Sequence, residues 1–259
     1  MGFELPVPAV SFWPIVNSET TMLSEKPIPA RERLIFALDV PTVQEAEALT
    51  NALGDSVMFY KLGLQLFMAG GYYELIERLT KRGKKVFADL KFFDVPETVK
   101  SAVAQLKNRG VTFATVHGND DILRAAVEHK NEVKILAVTV LTSLDQHDLE
   151  DLGFQCEVEK LVLSRARRAL AIGCDGVISS GLEAPKLRGD LGPRFLIVSP
   201  GIRPVENRVV DDQKRTVDVR QAFLNGADYI VVGRPIRTAP DPRAKAEEVQ
   251  SQIASVFDQ

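Results

Sequence analysis

The sequence predicts an α/β protein built as a single (β/α)8 barrel, or TIM barrel. From residue 31 onward, eight short runs of β-branched and apolar residues alternate with longer amphipathic stretches that have helical spacing. No change in composition marks a second domain within this region. An open doubly wound sheet is the alternative, but no G-x-G-x-x-G fingerprint follows the first strand, and eight repeats favour a closed barrel.

Each predicted strand is six to eight residues long and rich in apolar residues, as buried parallel strands usually are. Two of the helical stretches end in a basic turn followed by a glycine, Gly83 and Gly110, which is typical of a helix stop. The predicted strands cover residues 33–39, 57–63, 84–91, 111–117, 133–140, 175–180, 194–200 and 228–233. The clearest predicted helices cover residues 42–53, 64–82, 96–110, 121–130 and 159–173.

The first thirty residues differ from the rest of the chain. They are rich in proline and show no sustained helical or strand periodicity. We therefore expect an irregular N-terminal extension over residues 1–30 and the barrel domain over residues 31–259. The sequence has neither the apolar core of a signal peptide nor a stretch long enough to span a membrane, so we expect neither secretion nor insertion.

Charge and cysteine content narrow the class of function. The formal net charge is −3 and the sequence pI is about 5.8, which gives no basic footprint for nucleic acid or an anionic membrane. Only Cys156 and Cys174 are present, without a C-x-x-C pair or a histidine cluster, so neither a disulfide framework nor a metal site is predicted. We expect a cytoplasmic protein that acts on a small molecule, with no nucleic-acid or membrane partner.

Polar residues stand at the ends of several predicted strands. In a (β/α)8 barrel, alternate strand residues face the interior and catalytic residues lie at the C-terminal strand ends. This alternation places Asp39, Lys61, Asp89 and Lys91 on the inner faces of the first three strands. Because buried charges are costly, their convergence on one rim indicates a catalytic site. His117 ends the fourth strand, where both an active-site wall and a structural histidine stay open.

The last two loops favour a phosphate group. Barrels of this kind often hold phosphate at the loops after strands seven and eight. Here these loops read SPGIRP and VGRP, and they supply Gly201, Arg203, Gly233 and Arg234. Glycine lets the backbone approach a ligand closely, and a guanidinium pairs with two phosphate oxygens. The sequence therefore predicts a phosphorylated small molecule as the substrate.

Six segments together resemble one enzyme family. They read FALDVPT, YKLG, FADLKFFDVPETV, VTVLTS, VSPGIRP and DYIVVGRPI, and they occur in this order from about residue 33 to the end of the barrel. The set is similar to orotidine 5′-monophosphate decarboxylase of the bacterial type. The D-x-K-x-x-D pattern in the third segment is shared with relatives of that family, whereas the six segments together are specific.

The resemblance implies a reaction and a set of site residues. The family converts orotidine 5′-monophosphate to uridine 5′-monophosphate and CO2, the last step of de novo pyrimidine nucleotide synthesis, without a cofactor or metal. Lys91 would protonate C6 of the pyrimidine, and Asp94 would act in the neighbouring subunit's site across a homodimer interface. The implied catalytic residues are Lys61, Asp89, Lys91 and Asp94. The implied substrate-binding residues are Asp39 and Lys61 at the ribose, Thr142 at the pyrimidine, Arg203, Gln213, Gly233 and Arg234 at the phosphate, and Thr98.

Alternatives stay open for the mechanism and for the activity. Asp89 would either destabilise the bound substrate by repelling its departing carboxylate or mainly orient Lys91 in a preorganised network. The loop with Gln213 is predicted to close over the nucleotide. Keto-gulonate-phosphate decarboxylase and hexulose-phosphate synthase share D-x-K-x-x-D, but they bind magnesium and carry an acidic residue where Lys61 stands. A non-catalytic nucleotide-binding barrel or a structural scaffold is a further alternative, against which the intact charged set argues.

Overall fold

The computed structural model describes residues 22–203 and 216–257. Its centre is a closed barrel of eight parallel strands that pair in chain order, and the first strand completes the circle against the eighth. Helices follow the strands and form an outer layer. The fold class is therefore the predicted (β/α)8 barrel.

All eight predicted strands are confirmed, with ends that move by at most two residues. None of the helices in the described ranges is long and apolar enough to cross a membrane. The strands are β1 (Leu34–Ala37), β2 (Phe59–Gly63), β3 (Lys85–Phe92), β4 (Val111–His117), β5 (Lys134–Val138), β6 (Gly176–Ile178), β7 (Leu196–Ser199) and β8 (Tyr229–Val232). The α-helices are α1 (Val43–Leu53), α2 (Leu64–Met68), α3 (Tyr72–Lys81), α4 (Pro96–Ala104), α5 (Asp120–Glu128), α6 (Gln146–Asp151), α7 (Val158–Ile172), α8 (Ala184–Leu191), α9 (Val219–Leu224), α10 (Arg234–Arg237) and α11 (Pro242–Phe257).

Alternate strand residues fill the barrel interior, as the sequence predicts. Four aromatic rings form the centre of this interior cluster, in edge-on or tilted contacts with centroids 5.0 to 5.9 Å apart. The intervening strand residues face outward and pack against the helices in a second, larger core. The interior residues are Ile35, Ala37, Phe59, Phe87, Phe113, Leu136, Leu196, Val198, Tyr229 and Val231.

The helices begin and end where the sequence supplies suitable end groups. The side chains of Thr42 and Asn119 accept backbone N–H groups from the first turns of α1 and α5. The predicted helix over residues 64–82 is two helices, because Gly70 and Gly71 adopt positive φ angles of 81° and 66°. The chain turns at this glycine pair, so α2 ends before it and α3 begins after it.

Charged side chains close the N-terminal end of the barrel. Asp228, just before β8, is fully buried and accepts hydrogen bonds from Ser24, from Lys26 at 3.0 Å and from Arg188 at 2.5 Å. We call these four residues the base network. Residues 22–29 contain no helix or strand, and they lie against this end of the barrel through the network.

Candidate active site

A cavity of about 550 Å³ opens at the C-terminal end of the barrel, where the strands run out into loops. Interior side chains of the strands form its floor, and the loops after β5, β7 and β8 contribute to its wall. In (β/α)8 barrels this end carries the chemistry. The predicted residues that line the cavity are Asp39, Lys61, Asp89, Lys91, Thr142, Gly201, Arg203, Gly233 and Arg234.

Four charged side chains of alternating sign form a row along this cavity. The Lys61 ammonium lies 3.1 Å from Oδ1 of Asp39 and 3.4 Å from Oδ2 of Asp89. The Lys91 ammonium lies 2.9 Å from Oδ1 of Asp89, so this carboxylate stands between two lysines. We call these four residues the charged row. Each member has an opposite charge as its neighbour, which offsets part of the cost of removing it from water.

The strand sequences explain how three members of the row meet. Asp39, Lys61 and Asp89 each follow an interior apolar residue by two positions, so all three continue the inward-facing side of their strands. A Cβ atom on Gly63 would lie 3.2 Å from Oδ1 of Asp39 and 3.4 Å from the Lys61 ammonium. Glycine at this position therefore leaves the space in which the carboxylate and the ammonium pair.

Lys91 reaches the row through an irregular stretch of backbone. Its φ is 48°, a left-handed value that is uncommon for residues other than glycine. Between Ala88 and Phe92 the register of β3 against β4 shifts, as in a β-bulge. The Lys91 N–H donates to Oγ1 of Thr115 at 2.9 Å, and that hydroxyl donates to Asp89 at 2.8 Å. Strained backbone of this kind clusters at functional sites.

The neighbours of Lys61 and Asp89 hold both groups in their charged forms. Burial by itself would lower the pKa of Lys61, but the carboxylates of Asp89 and Asp39 outweigh it and raise that pKa above its usual value. Burial by itself would raise the pKa of Asp89, but the ammonium groups of Lys61 and Lys91 outweigh it and lower that pKa. The cavity therefore contains fixed charges of both signs at neutral pH.

The loops after β7 and β8 bring groups suited to an anion to the same cavity. Gly201 has a φ of 77°, a conformation that suits glycine, where the chain turns after β7. Arg203 lies two residues further on, and Arg234 opens α10 after β8. A Cβ atom on Gly233 would lie 3.2 Å from the Cβ atom of Ala37, so glycine here lets the loop after β8 approach the end of β1 closely.

Some residues singled out from the sequence lie outside this cavity. Asp94 and Thr98 are exposed, after β3 and in the first turn of α4, and neither lines the cavity. Asp94 instead borders a larger groove of about 810 Å³ between α5 and α7, which we call the outer groove and which adjoins the cavity at Val138. Gln213 lies outside the described residues, as does the loop predicted to close over a nucleotide.

His117 lines the same outer groove and not the active-site cavity, and among the described residues its buried Nδ1 atom has no hydrogen-bond partner. Its ring meets that of Phe93 edge-on, with centroids 5.1 Å apart. Burial lowers the pKa of His117, and the nearby positive charges of Arg165 and Lys91 lower it further. The imidazole is therefore neutral at pH 7.

Two residues contribute to the site without having been singled out from the sequence. Thr115 bonds to Asp89 in the charged row, and Arg237 lines the cavity and donates to the backbone carbonyl of Asp39 at 2.8 Å. The sequence offers a feature that could have pointed to each residue. Thr115 has the inward-facing parity of β4, and Arg237 lies one helical turn after Arg234.

These features define the class of protein. A (β/α)8-barrel enzyme holds its substrate between catalytic groups at the strand ends and anion-binding loops after the last strands, and this chain has both. In residues 22–203 and 216–257, no three His, Cys, Asp or Glu side chains gather as a metal-ligand cluster. The chain is therefore built as a barrel enzyme with charged side chains at its strand ends and arginines in its last two loops.

Comparison with known proteins identifies the family. The sequence model of the orotidine 5′-phosphate decarboxylase / HUMPS family matches residues 32–249. Orotidine 5′-phosphate decarboxylase of Methylococcus capsulatus is 66% identical over 235 residues, which cover 91% of this chain and 97% of that protein. The protein of the same name from Xanthomonas axonopodis pv. citri is 50% identical over 239 residues, covering 91% and 98% respectively. The crystal structure of orotidine 5′-phosphate decarboxylase from Lactobacillus acidophilus superposes with a TM-score of 0.76 at 35% identity, covering 86% of this chain and 99% of that one.

The chain belongs to the orotidine 5′-phosphate decarboxylase / HUMPS family. This finding confirms the resemblance read from the six segments. It also confirms the predicted enzyme class, a carboxy-lyase that cleaves a carbon–carbon bond.

Proposed function

We propose that this chain decarboxylates orotidine 5′-monophosphate to uridine 5′-monophosphate and CO2 without a cofactor. The observation that carries the proposal is the charged row, in which Asp89 and Lys91 face a cavity of a size that suits a small ligand. Relatives at 66% and 50% identity bear the name of this activity. The pyrimidine would lie against the charged row, and the phosphate would lie at the loops after β7 and β8.

The reaction requires a stabilising electric field. When CO2 leaves, the electron pair of the broken bond stays on C6 of the pyrimidine, where the ring delocalises little charge. A fixed ammonium beside C6 stabilises this carbanion and then donates a proton to the carbon. We assign this role to Lys91, whose side chain is 37% exposed toward the cavity and which is tethered to Asp89 at 2.9 Å.

Asp89 positions that ammonium. Its Oδ1 atom accepts hydrogen bonds from Lys91 and from Thr115, at 2.9 and 2.8 Å, so the carboxylate is fixed at two points. Because its pKa is lowered, Asp89 also stays negative beside the substrate carboxylate, and the repulsion ends when CO2 departs as a neutral molecule. We assign the larger part to positioning, since preorganised charges and dipoles usually contribute most of the rate enhancement in such reactions.

Lys61 distinguishes this proposal from the two magnesium-dependent alternatives, keto-gulonate-phosphate decarboxylase and hexulose-phosphate synthase. Its ammonium lies 3.1 Å from Asp39 and 3.4 Å from Asp89, and thus puts a positive charge where two carboxylates could otherwise share a divalent cation. The rivals are expected to carry an acidic residue at this position. We therefore propose a metal-independent reaction in which Asp39 and Lys61 contact the ribose.

The loops after β7 and β8 would bind the phosphate of the substrate and supply binding energy, without taking part in the chemical step. Arg203 and Arg234 offer guanidinium groups to the phosphate, and Gly233 allows the backbone to approach it. We include Gln213 among the proposed phosphate-binding residues. Thr142, which is buried in the cavity wall, would contact the pyrimidine. Binding energy from this remote group holds the base against the charged row.

We further propose a homodimer in which Asp94 completes the partner's site. Phe93 and Val95, on either side of Asp94, are 65% and 62% exposed, although both are apolar. They border the 810 Å³ groove between α5 and α7. Exposed apolar surface of this kind marks an interaction site, and a second copy would cover it. Thr98, exposed on the same segment, would go with Asp94 to the partner's substrate.

Mixing two inactive variants tests this arrangement. In a heterodimer of Lys91→Ala with Asp94→Ala subunits, one of the two sites regains its full set of residues. A fully exchanged equimolar mixture should therefore recover about one quarter of the wild-type activity, because half of the dimers are mixed and each has one intact site. No recovery after subunit exchange, verified by mass spectrometry with tagged chains, would place Asp94 in its own subunit's site.

The proposed activity is tested by adding purified protein to orotidine 5′-monophosphate and following the ultraviolet change on conversion to uridine 5′-monophosphate. We expect full turnover in the presence of a chelator, with the product identified by its mass. Absence of turnover would reject the proposal. Turnover that requires added magnesium, or that occurs only with a keto sugar phosphate, would favour the rivals.

A further inference from the structure

We propose that Arg237 is a positioning residue that holds Asp39 and, through it, the outer end of the charged row. This inference rests on the proposed function, and it concerns a side chain outside the catalytic and phosphate-binding sets assigned above. Arg237 is the last residue of α10 and lines the active-site cavity. Its Nη1 atom donates to the backbone carbonyl oxygen of Asp39 at 2.8 Å.

The hydrogen bond from Arg237 to Asp39 lies at the seam between β1 and β8, where the barrel closes. β1 and β8 pair up to Phe36 opposite Val232, and beyond this pair the two strands continue into separate loops. The start of the loop after β8 lies close to the end of β1, since a Cβ atom on Gly233 would lie 3.2 Å from that of Ala37. Arg237 reaches across this contact, so its guanidinium continues the cross-seam hydrogen bonding past the last strand pair.

Asp39 needs such an anchor more than the other members of the row. Its side chain is 48% exposed, whereas those of Lys61 and Asp89 are each 11% exposed. An ion pair with a half-exposed carboxylate is weakened by solvent, so the Lys61 contact at 3.1 Å fixes Asp39 poorly by itself. A bond to the backbone of Asp39 restricts the loop that carries the carboxylate and thereby keeps it beside Lys61.

The competing role for Arg237 is direct contact with the substrate, because its side chain also lines the cavity. The two roles differ in one respect. A positioning residue matters only while the Asp39 carboxylate is present, whereas a substrate-binding residue matters in either case. A double-mutant cycle between positions 237 and 39 separates them.

The experiment compares kcat/KM for orotidine 5′-monophosphate in Arg237→Gln, Arg237→Lys, Asp39→Ala and the double variant Asp39→Ala/Arg237→Gln. Arg109→Gln is the matched control, because Arg109 also donates to a backbone carbonyl, that of Gln105 at 2.6 Å, but lies outside the cavity. We expect Arg237→Gln to lose about tenfold in an otherwise wild-type chain and less than about twofold in the Asp39→Ala chain. Arg237→Lys, whose ammonium keeps a charged N–H donor at this position, should recover most of the loss, and the melting temperature should match that of Arg109→Gln.

Each outcome decides the proposal. An equal loss in both backgrounds would show that Arg237 binds the substrate directly, and no loss in either would show that it has no role, so both would overturn the inference. Wild-type protein and Arg109→Gln are assayed alongside. If neither of them turns over the nucleotide, the proposed function falls and the inference with it, whereas normal turnover in both isolates a failure of the inference alone.

Discussion

The barrel has a cluster of charged side chains at each end, and the two clusters are built differently. In the base network, Asp228 is fully buried and each of its carboxylate oxygens accepts at least two hydrogen bonds. In the charged row, the side chains of Asp39 and Lys91 are 48% and 37% exposed and face a cavity of about 550 Å³. The base network also borders a pocket of about 460 Å³ through Ser24, Lys26 and Arg188, but its central carboxylate, Asp228, does not line that pocket. In the charged row, all four charged side chains line the cavity.

This difference separates a structural cluster from a functional one. Buried charge alone does not distinguish them, because both contain carboxylates held by lysine or arginine. The Asp228 carboxylate has its hydrogen-bonding capacity used within the protein, so it serves to hold elements together. In the charged row, two carboxylates and two ammonium groups line the cavity, so fixed charges of both signs meet whatever enters it, which is the requirement for electrostatic catalysis. The predictions below test this division.

The largest expected effect is at Lys91. Lys91→Ala removes both the charge that stabilises the carbanion and the proposed proton donor, so kcat should fall by at least about 10⁴-fold. Binding of uridine 5′-monophosphate, measured by titration calorimetry, should survive because the phosphate-binding residues are unchanged. Lys26→Ala, a lysine of the base network, is the matched control and should leave kcat unchanged. Residual turnover near the wild-type level in Lys91→Ala would remove this residue from the proposed role.

The next largest effect is on stability and concerns Asp228. Asp228→Asn keeps the side-chain volume but leaves the buried Arg188 and the partly buried Lys26 without their counter-charge. Removing one partner of a buried ion pair costs about 3–5 kcal/mol in the free energy of unfolding. Chemical denaturation measures this loss. A change below about 1 kcal/mol, the usual range of a surface pair, would contradict the structural role of the Asp228 carboxylate.

A smaller effect is expected at the phosphate end. Arg234→Gln should raise KM for orotidine 5′-monophosphate by about 10- to 100-fold, since hydrogen bonds to a charged group are worth about 1.5–3 kcal/mol. Steady-state kinetics with Arg109→Gln as the control measures the change. An unaltered KM would move the phosphate away from the loop after β8.

The smallest effect concerns the titration of His117. Its pKa is lowered by burial and by Arg165 and Lys91, so the folded protein binds a proton less readily than the unfolded chain. Its contribution to stability is therefore complete above about pH 6.5 and is lost as the pH falls through the lowered pKa.

Nuclear magnetic resonance can follow this titration, since the chain has three histidines. The ring signal that disappears in His117→Gln should titrate below about pH 6.5, the usual value for histidine. A midpoint at or above that value would show that the ring is not shielded from water in the way described.

The sequence predicted best what depends on the period of two along a strand. Asp39, Lys61 and Asp89 reach one cavity because the inward-facing side of each strand is fixed by the buried residues before it. Lys91 faces the same cavity, but its left-handed backbone and the register shift around it have no signal in the local pattern.

Contacts between distant parts of the chain could not be predicted. Ser24 meets Asp228 across 204 positions, and Arg237 meets Asp39 across 198. Such pairs depend on how the barrel closes, which strand patterns do not specify in atomic detail. The helix break at Gly70 and Gly71 is different, because the glycine pair was visible in the sequence and its positive φ angles follow from ordinary glycine behaviour.

The most direct test of the division between the two clusters is the turnover number of Asp89→Asn compared with that of Asp228→Asn, each expressed per folded molecule. Both variants remove one buried carboxylate charge while keeping the side-chain volume. We predict that Asp89→Asn loses at least about 10²-fold in kcat, whereas Asp228→Asn stays within about twofold of the wild type. Equal losses in the two variants, or full activity in Asp89→Asn, would contradict the assignment of catalysis to the charged row.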